Sequence, residues 1–152
     1  MSLALGCDEA ALDLKNLLKV HLEAKGLMVK DFGVHSPEPA MYPDIALEVA
    51  LEIAAGHCDR GILLCGTGLG MAITANKVFG IRAATCHDTY SAERARKSND
   101  AQILTMGARV VGSELAKTIV DAWLASEFQG GGSTAKVERI KQIEKKHLRG
   151  DQ

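Results

Sequence analysis

A cysteine set directly before three alternating glycines, Cys65-Gly66-Thr67-Gly68-Leu69-Gly70, is the arrangement in this chain with the clearest capacity for chemistry. An apolar run, Gly61 to Leu64, leads into it and an apolar, helix-compatible segment, Met71 to Asn76, follows, which predicts a strand, a tight turn and a helix start. Glycines let a backbone curl until successive N–H groups face one concavity, and a helix behind adds the positive end of its dipole. Such a turn favours an anion or a developing oxyanion, and a thiol at its mouth gains thiolate character. The same pattern also serves a plain strand end, where cysteine is a small buried hydrophobe. The glycines are spaced one short of the dinucleotide fingerprint, and no Lys and Ser or Thr follow them as a Walker A loop requires.

The elements that must position this turn are legible from periodicity. Leu3 to Cys7 reads as strand 1 and Ala10 to Lys25, with Leu14, Leu17, Leu18 and Leu22 at helical spacing, as helix 1. Gly26 closes that helix, and Leu27 to Phe32 alternates as strand 2 before a Pro-containing loop, Gly33 to Pro43, long enough to cover a site. Ile45, Val49 and Ile53 mark a second, largely apolar helix ending at Gly56. Gly80 to Cys86 reads as strand 4, Tyr90 to Lys97 as a short charged helix, Ala101 to Met106 as strand 5 and Glu114 to Ser126 as another helix. A Gly- and Ser-rich stretch, Gln129 to Thr134, precedes a charged helix, Lys136 to Leu148, whose apolar line of Val137, Ile140 and Ile143 needs another surface. Alternating strands and helices predict an α/β fold with a parallel sheet covered on both faces. The order expected is 2-1-3-4-5.

At 152 residues the chain is the size of one domain, and 47% hydrophobic with 24% charged residues is ordinary globular composition. A net charge of -1 and no dense basic stripe disfavour nucleic acid and anionic membrane as partners, and no apolar run approaches a membrane span. Cys7, Cys58, Cys65 and Cys86 form no CxxC pair and no signal peptide precedes them, so a reduced, cytoplasmic protein with free thiols is expected. His57, Cys58 and Asp59 are adjacent and cannot easily converge on one ion, so no metal and no cofactor are expected.

Ligands of open parallel sheets sit beyond the carboxyl ends of the strands, where strand order reverses. Those ends carry Cys7 and Asp8, Cys65 to Gly70, and Cys86, His87 and Asp88. With strands 1 and 3 flanking the reversal, Asp8 faces Cys65. A carboxylate, a thiol and an anion-binding turn can polarise a small hydroxy-carbonyl compound and move a proton on it. The plainer roles are an N-cap for Asp8 and a helix start for His87 and Asp88.

These residues belong to a larger set: Gly6-Cys7-Asp8, Tyr42-Pro43-Asp44, Gly61 to Gly70, Ala75-Asn76-Lys77, Gly80-Ile81-Arg82-Ala83, Tyr90-Ser91-Ala92, Ser98-Asn99-Asp100 and Gly107-Ala108-Arg109-Val110-Val111-Gly112. With it the chain resembles the ribose-5-phosphate isomerase B and galactose-6-phosphate isomerase family over nearly its whole length. The resemblance implies a doubly wound, Rossmann-like sheet and a homodimer, with tetramers open, whose sites lie at the subunit interface. It implies an isomerase domain over residues 1–128 and a tail over 129–152 that meets a partner subunit. It implies metal-free interconversion of aldose and ketose phosphates of the ribose 5-phosphate and ribulose 5-phosphate type, with Cys65 as the base moving a proton through an enediolate. In this reading Gly66, Gly68, Leu69 and Gly70 form the anion hole, and Thr67 and Asp8 bind hydroxyls or assist ring opening. Asn99, Tyr42, Glu9 and His87 face the substrate, and Arg109 and Lys136 take the phosphate.

Three positions depart from the family pattern. Glu9 replaces a phosphate-binding histidine, Ser98 replaces the histidine credited with opening the furanose ring, and Gly131-Gly132-Ser133 stands where the tail carries Gly-Gly-Arg-His. A tetrose 4-phosphate needs no ring opening, because the hydroxyl that would close the ring carries the phosphate. The expectations are therefore ribose 5-phosphate with His87 standing in for the lost histidine, erythrulose 4-phosphate and erythrose 4-phosphate, or an unphosphorylated sugar accommodated by Glu9. A non-catalytic sugar-phosphate binder is the reading from another class, and the intact thiol argues against it.

Overall fold

The computed structural model describes residues 1–148; the last four residues of the expected tail lie outside the described residues. Five parallel strands, β1 (Ser2–Cys7), β2 (Met28–Asp31), β3 (Arg60–Cys65), β4 (Ala83–Thr85) and β5 (Ile103–Gly107), alternate with α1 (Leu12–Ala24), α2 (Tyr42–Ala54), α3 (Leu69–Ala75), α4 (Thr89–Lys97) and α5 (Ser113–Leu124). A sixth helix, α6 (Thr134–His147), ends the described chain, and single 3-10 turns at Glu9–Ala11 and Gly131–Ser133 precede α1 and α6. The apolar alternation of the strands sets the two faces. Leu3, Leu5, Cys7, Ile62, Leu64, Leu104 and Met106 pack beneath α1, α4 and α5 around the fully buried Trp123. Ala4, Leu63, Cys65 and Ile103 pack beneath α2 and α3. Gly6 admits α2 to near contact, since a Cβ there would meet Ile45 at 2.8 Å.

The strand order is 2-1-3-5-4, not 2-1-3-4-5. Ile103–Gly107 is buried throughout, whereas Ala83–Thr85 is short and only partly buried, so the more apolar strand takes the place beside β3 and the weaker one forms the edge. The exchange decides which loop adjoins the cysteine. Cys65 is paired with Gly107, and the β4 end with His87 lies one strand further away.

Two buried cations fasten the frame. Lys15, on α1, gives both oxygens of Asp31 and the carbonyl of Val34 hydrogen bonds of 2.8–2.9 Å. Arg60 donates to the carbonyls of Trp123, Leu124 and Ser126 and to Glu127, so a guanidinium meets the negative end of α5. The tail helix buries Val137 and takes a hydrogen bond from the Gly80 N–H on Glu144, which lays α6 across the amino ends of the strands.

Candidate active site

Cys65 ends β3, and the chain then reverses through Gly66-Thr67-Gly68. Gly68 has φ +77°, and a Cβ there would stand 2.7–2.9 Å from the Met106 backbone, so only glycine closes this turn. Its N–H donates to Cys65 Sγ at 3.0 Å, turning the sulfur into the concavity. The neighbouring Leu69 N–H reaches Thr67 Oγ1 at 3.3 Å. Because α3 has only seven residues, the anion-attracting character expected here rests on the turn's amides more than on a helix dipole.

The turn after β5 is sewn onto this one. Ala108 N–H donates to the Cys65 carbonyl at 2.8 Å and Arg109 N–H to the Gly66 carbonyl at 3.1 Å. A Cβ on Gly107 would lie 2.6 Å from Thr67 Cα, and one on Gly66 would lie 3.1 Å from the Arg109 guanidinium. Arg109 is therefore a cation held directly over the glycine turn. On the other side the Tyr42 ring covers Gly70, where a Cβ would be 2.5 Å from the ring atoms.

Asp8 follows β1, and its N–H donates to the Leu64 carbonyl at 3.2 Å, which sets it beside the end of β3. It is also an N-cap, accepting from Ala10 N–H at 3.1 Å, so the plainer reading of this residue holds. Burial, and after it the charge of Glu9, raise its carboxyl above the ordinary aspartate value, against the pull of the Ala10 and Ala11 amides and Arg109. Glu9 itself points to the covering loop, accepting from the Ala40 N–H at 3.1 Å. That tether was not visible in the sequence.

Burial pushes Cys7 and Cys86 up to about 11, and Cys58 in the same direction, so these three stay thiols at neutral pH. All four cysteines are unbridged. Among the described residues no three His, Cys, Asp or Glu side chains are grouped as a metal site requires.

Asn99 and Lys136 are elsewhere. The α4 helix returns from the carboxyl end of β4 to the amino end of β5, and Arg82, just before β4, donates to the Asn99 and Asp100 carbonyls at 3.1 Å. Gln129 is tied to the Lys97 carbonyl at the same end, and Lys136 is exposed on the first turn of α6. A strand's length, roughly 15 Å, separates these residues from Cys65 within one chain. Ser98 accepts a hydrogen bond from Arg94 and serves its own helix. The structure thus unites Cys65, Gly66 to Gly70, Asp8, Tyr42 and Arg109, and leaves the amino-end group apart.

His87, expected to face the substrate, has one ring nitrogen engaged by the protein itself. Its Nε2 accepts the Gly107 N–H at 2.9 Å. A nitrogen that accepts from an amide carries no proton, so the ring is neutral with its hydrogen on Nδ1 while this bond is made.

A family model described as Ribose/Galactose Isomerase matches residues 3–143. The chain belongs to the ribose/galactose isomerase family. A D-erythrulose-4-phosphate isomerase of Pectobacterium atrosepticum is 59% identical over 92% of this chain and 93% of its own. A ribose-5-P isomerase B of Listeria innocua is 55% identical over 97% of this isomerase and 99% of its own length. Among solved structures, ribose-5-phosphate isomerase B of Clostridium thermocellum superposes with a TM-score of 0.95 at 50% identity, covering 97% of this chain and 99% of that one.

Proposed function

We propose that this aldose–ketose isomerase of sugar phosphates acts on a tetrose 4-phosphate, interconverting erythrulose 4-phosphate and erythrose 4-phosphate. The observation that carries the choice of substrate is the His87–Gly107 hydrogen bond. Opening a furanose requires a group that can give a proton to the ring oxygen or take one from the anomeric hydroxyl. Ser98 supplies no imidazole, and the imidazole at the neighbouring strand end has its basic nitrogen spent on a backbone amide, which leaves only a neutral N–H, a poor acid for the ring oxygen. An acyclic substrate removes the need. The 59% identity to a D-erythrulose-4-phosphate isomerase supports the same reading.

In this account the substrate's carbonyl oxygen lies against the amides of the glycine turn while Cys65 takes the proton from one carbon of the hydroxy-carbonyl pair and returns it to the other. The enediolate between the two steps places negative charge on oxygen, which the turn is built to meet. Asp8, raised toward its protonated form, hands a proton between the two oxygens, and Thr67 holds a hydroxyl. Arg109 takes the phosphate. Glu9 orders the covering loop in place of touching substrate.

Asn99 and Lys136 join this site from a second copy of the chain. Leu47 and Leu51 on α2 and Leu69 and Ile73 on α3 are each about half exposed, and their spacing lines them along two adjoining helix faces. Leu69 is part of the glycine turn, so a homodimer formed on this face brings the second copy to the site. Four unbridged thiols support a reducing compartment such as the cytoplasm.

Initial rates with erythrulose 4-phosphate, ribose 5-phosphate, allose 6-phosphate and galactose 6-phosphate test the substrate. The tetrose is expected to have the highest kcat/KM; an equal or higher value for ribose 5-phosphate would sink the assignment.

A further inference from the structure

The ladder between β4 and β5 runs out before the site does. Its last residue pair is Thr85 with Thr105, after which Cys86 N–H still reaches the Thr105 carbonyl at 3.1 Å. A regular parallel pair would next offer the Gly107 N–H a carbonyl from the edge strand. Here the acceptor is His87 Nε2, at 2.9 Å. The imidazole takes the place of the missing rung.

What this rung holds is the floor of the active site. Gly107 lies against the Thr67 backbone with no room for a methyl group, and the next two residues donate to the Cys65 and Gly66 carbonyls. Gly107 also accepts, from the Val110 and Val111 amides, the hydrogen bonds that shape the Arg109 turn. One residue thus joins the edge strand, the thiol's turn and the Arg109 turn. We propose that His87 is a positioning residue: its neutral imidazole closes the ladder at Gly107 and so fixes Cys65 and Arg109, and its protonation releases them.

The direction follows from hydrogen-bond chemistry. A proton added at Nε2 sets one N–H against another, and the Gly107 amide loses its acceptor. The charged and titratable groups around this rung are Asp88 and the buried Cys86 thiol on the same loop, and Arg109 and Cys65 on the two turns that meet at Gly107; the first turn of α4 adds the exposed Tyr90 and no carboxylate. Asp88 is already an N-cap, accepting from the Ser91 N–H. Protonation of this imidazole therefore lowers catalytic competence, so the loss lies on the acid side.

The test compares His87→Ala with His87→Gln in the full-length protein. Gln places an amide oxygen near the position of Nε2 but does not titrate. His87→Ala is expected to lower kcat by about tenfold or more at neutral pH with a smaller change in KM, the scale expected for a displaced catalytic group. His87→Gln restores most of that loss and lacks the acid-side fall that wild type shows on the same substrate, a comparison in which the substrate's own phosphate ionisation cancels. With 15N-labelled histidine, Nε2 of His87 resonates as an unprotonated nitrogen at neutral pH. Wild-type kcat and an unchanged acid limb in His87→Ala, or a protonated Nε2 at neutral pH, would overturn the proposal. The kinetic part rests on the isomerase reading but is read on whichever sugar phosphate wild type converts, and the nitrogen signal needs no turnover, so failure of the tetrose assignment leaves it decidable.

Discussion

At the scale of single residues, the site is a thiol, a carboxyl and a cation on three consecutive loops of the carboxyl edge. Cys65→Ser keeps the hydrogen-bonding shape but replaces the thiol with a far weaker acid, so kcat is expected to fall by about three orders of magnitude while the circular dichroism spectrum is unchanged. Cys65, Gly68 and Arg109 were legible in the sequence by residue type and by their place at strand ends, and the fold brings them together. Glu9 and His87, expected to face the substrate, are each engaged by the protein itself in a way the sequence does not show. Each is a polar residue at the correct edge of the sheet, and each spends its side chain on a backbone N–H, at Ala40 and Gly107, that only folding brings near. Position in the chain told which edge they occupy and not which direction they face.

At the scale of elements, the glycine turn works only because β5 lies next to β3. Gly107→Ala would drive a methyl group to 2.6 Å from Thr67 Cα, so the turn must move. Its kcat is expected to drop by about a hundredfold, because catalysis at such turns tolerates little displacement. The exchange of β4 and β5 was not legible from periodicity, since both segments are short and apolar and the decision rests on burial: Ala83–Thr85 has too little apolar bulk for the centre of the sheet. The buried pair under β2 gives an element-scale prediction. Burial works against the ionised Asp31 carboxyl, yet the hydrogen bonds from Lys15 and Gly33 outweigh it and hold the group below its ordinary value. A carboxyl depressed by folding contributes stability above its unfolded value and loses that contribution as pH falls through its folded value. Lys15→Ala removes the buried ammonium and leaves Asp31 only the Gly33 N–H and the more distant, partly exposed Lys19; it is expected to cost roughly 3 kcal/mol in urea unfolding at neutral pH, with less difference from wild type in acid.

At the scale of the whole molecule, the proposed dimer requires that one chain carry two complementary halves of a site, at opposite ends of its sheet. Ile73→Asp on the half-exposed face is expected to shift sedimentation to a monomer and abolish turnover with the fold retained. Complementation asks the same question without breaking the interface. Cys65→Ala and a variant with Asn99→Ala and Lys136→Ala each lack turnover alone. Unfolded together and refolded as an equal mixture, they recover about a quarter of wild-type activity, because half the dimers are mixed and each has one complete site. No recovery would mean that Asn99 and Lys136 do not complete the Cys65 site of a second copy.

The central claim, that Cys65 moves one proton between neighbouring carbons of an acyclic sugar phosphate, meets its most direct test in deuterated water. Wild type incubated with erythrulose 4-phosphate should place deuterium at C2 of the erythrose 4-phosphate formed and at C1 of the recovered ketose, while Cys65→Ala leaves both carbons unlabelled. Label appearing at the same rate in Cys65→Ala would contradict the role assigned to the thiol, and no label with wild type would contradict the reaction itself.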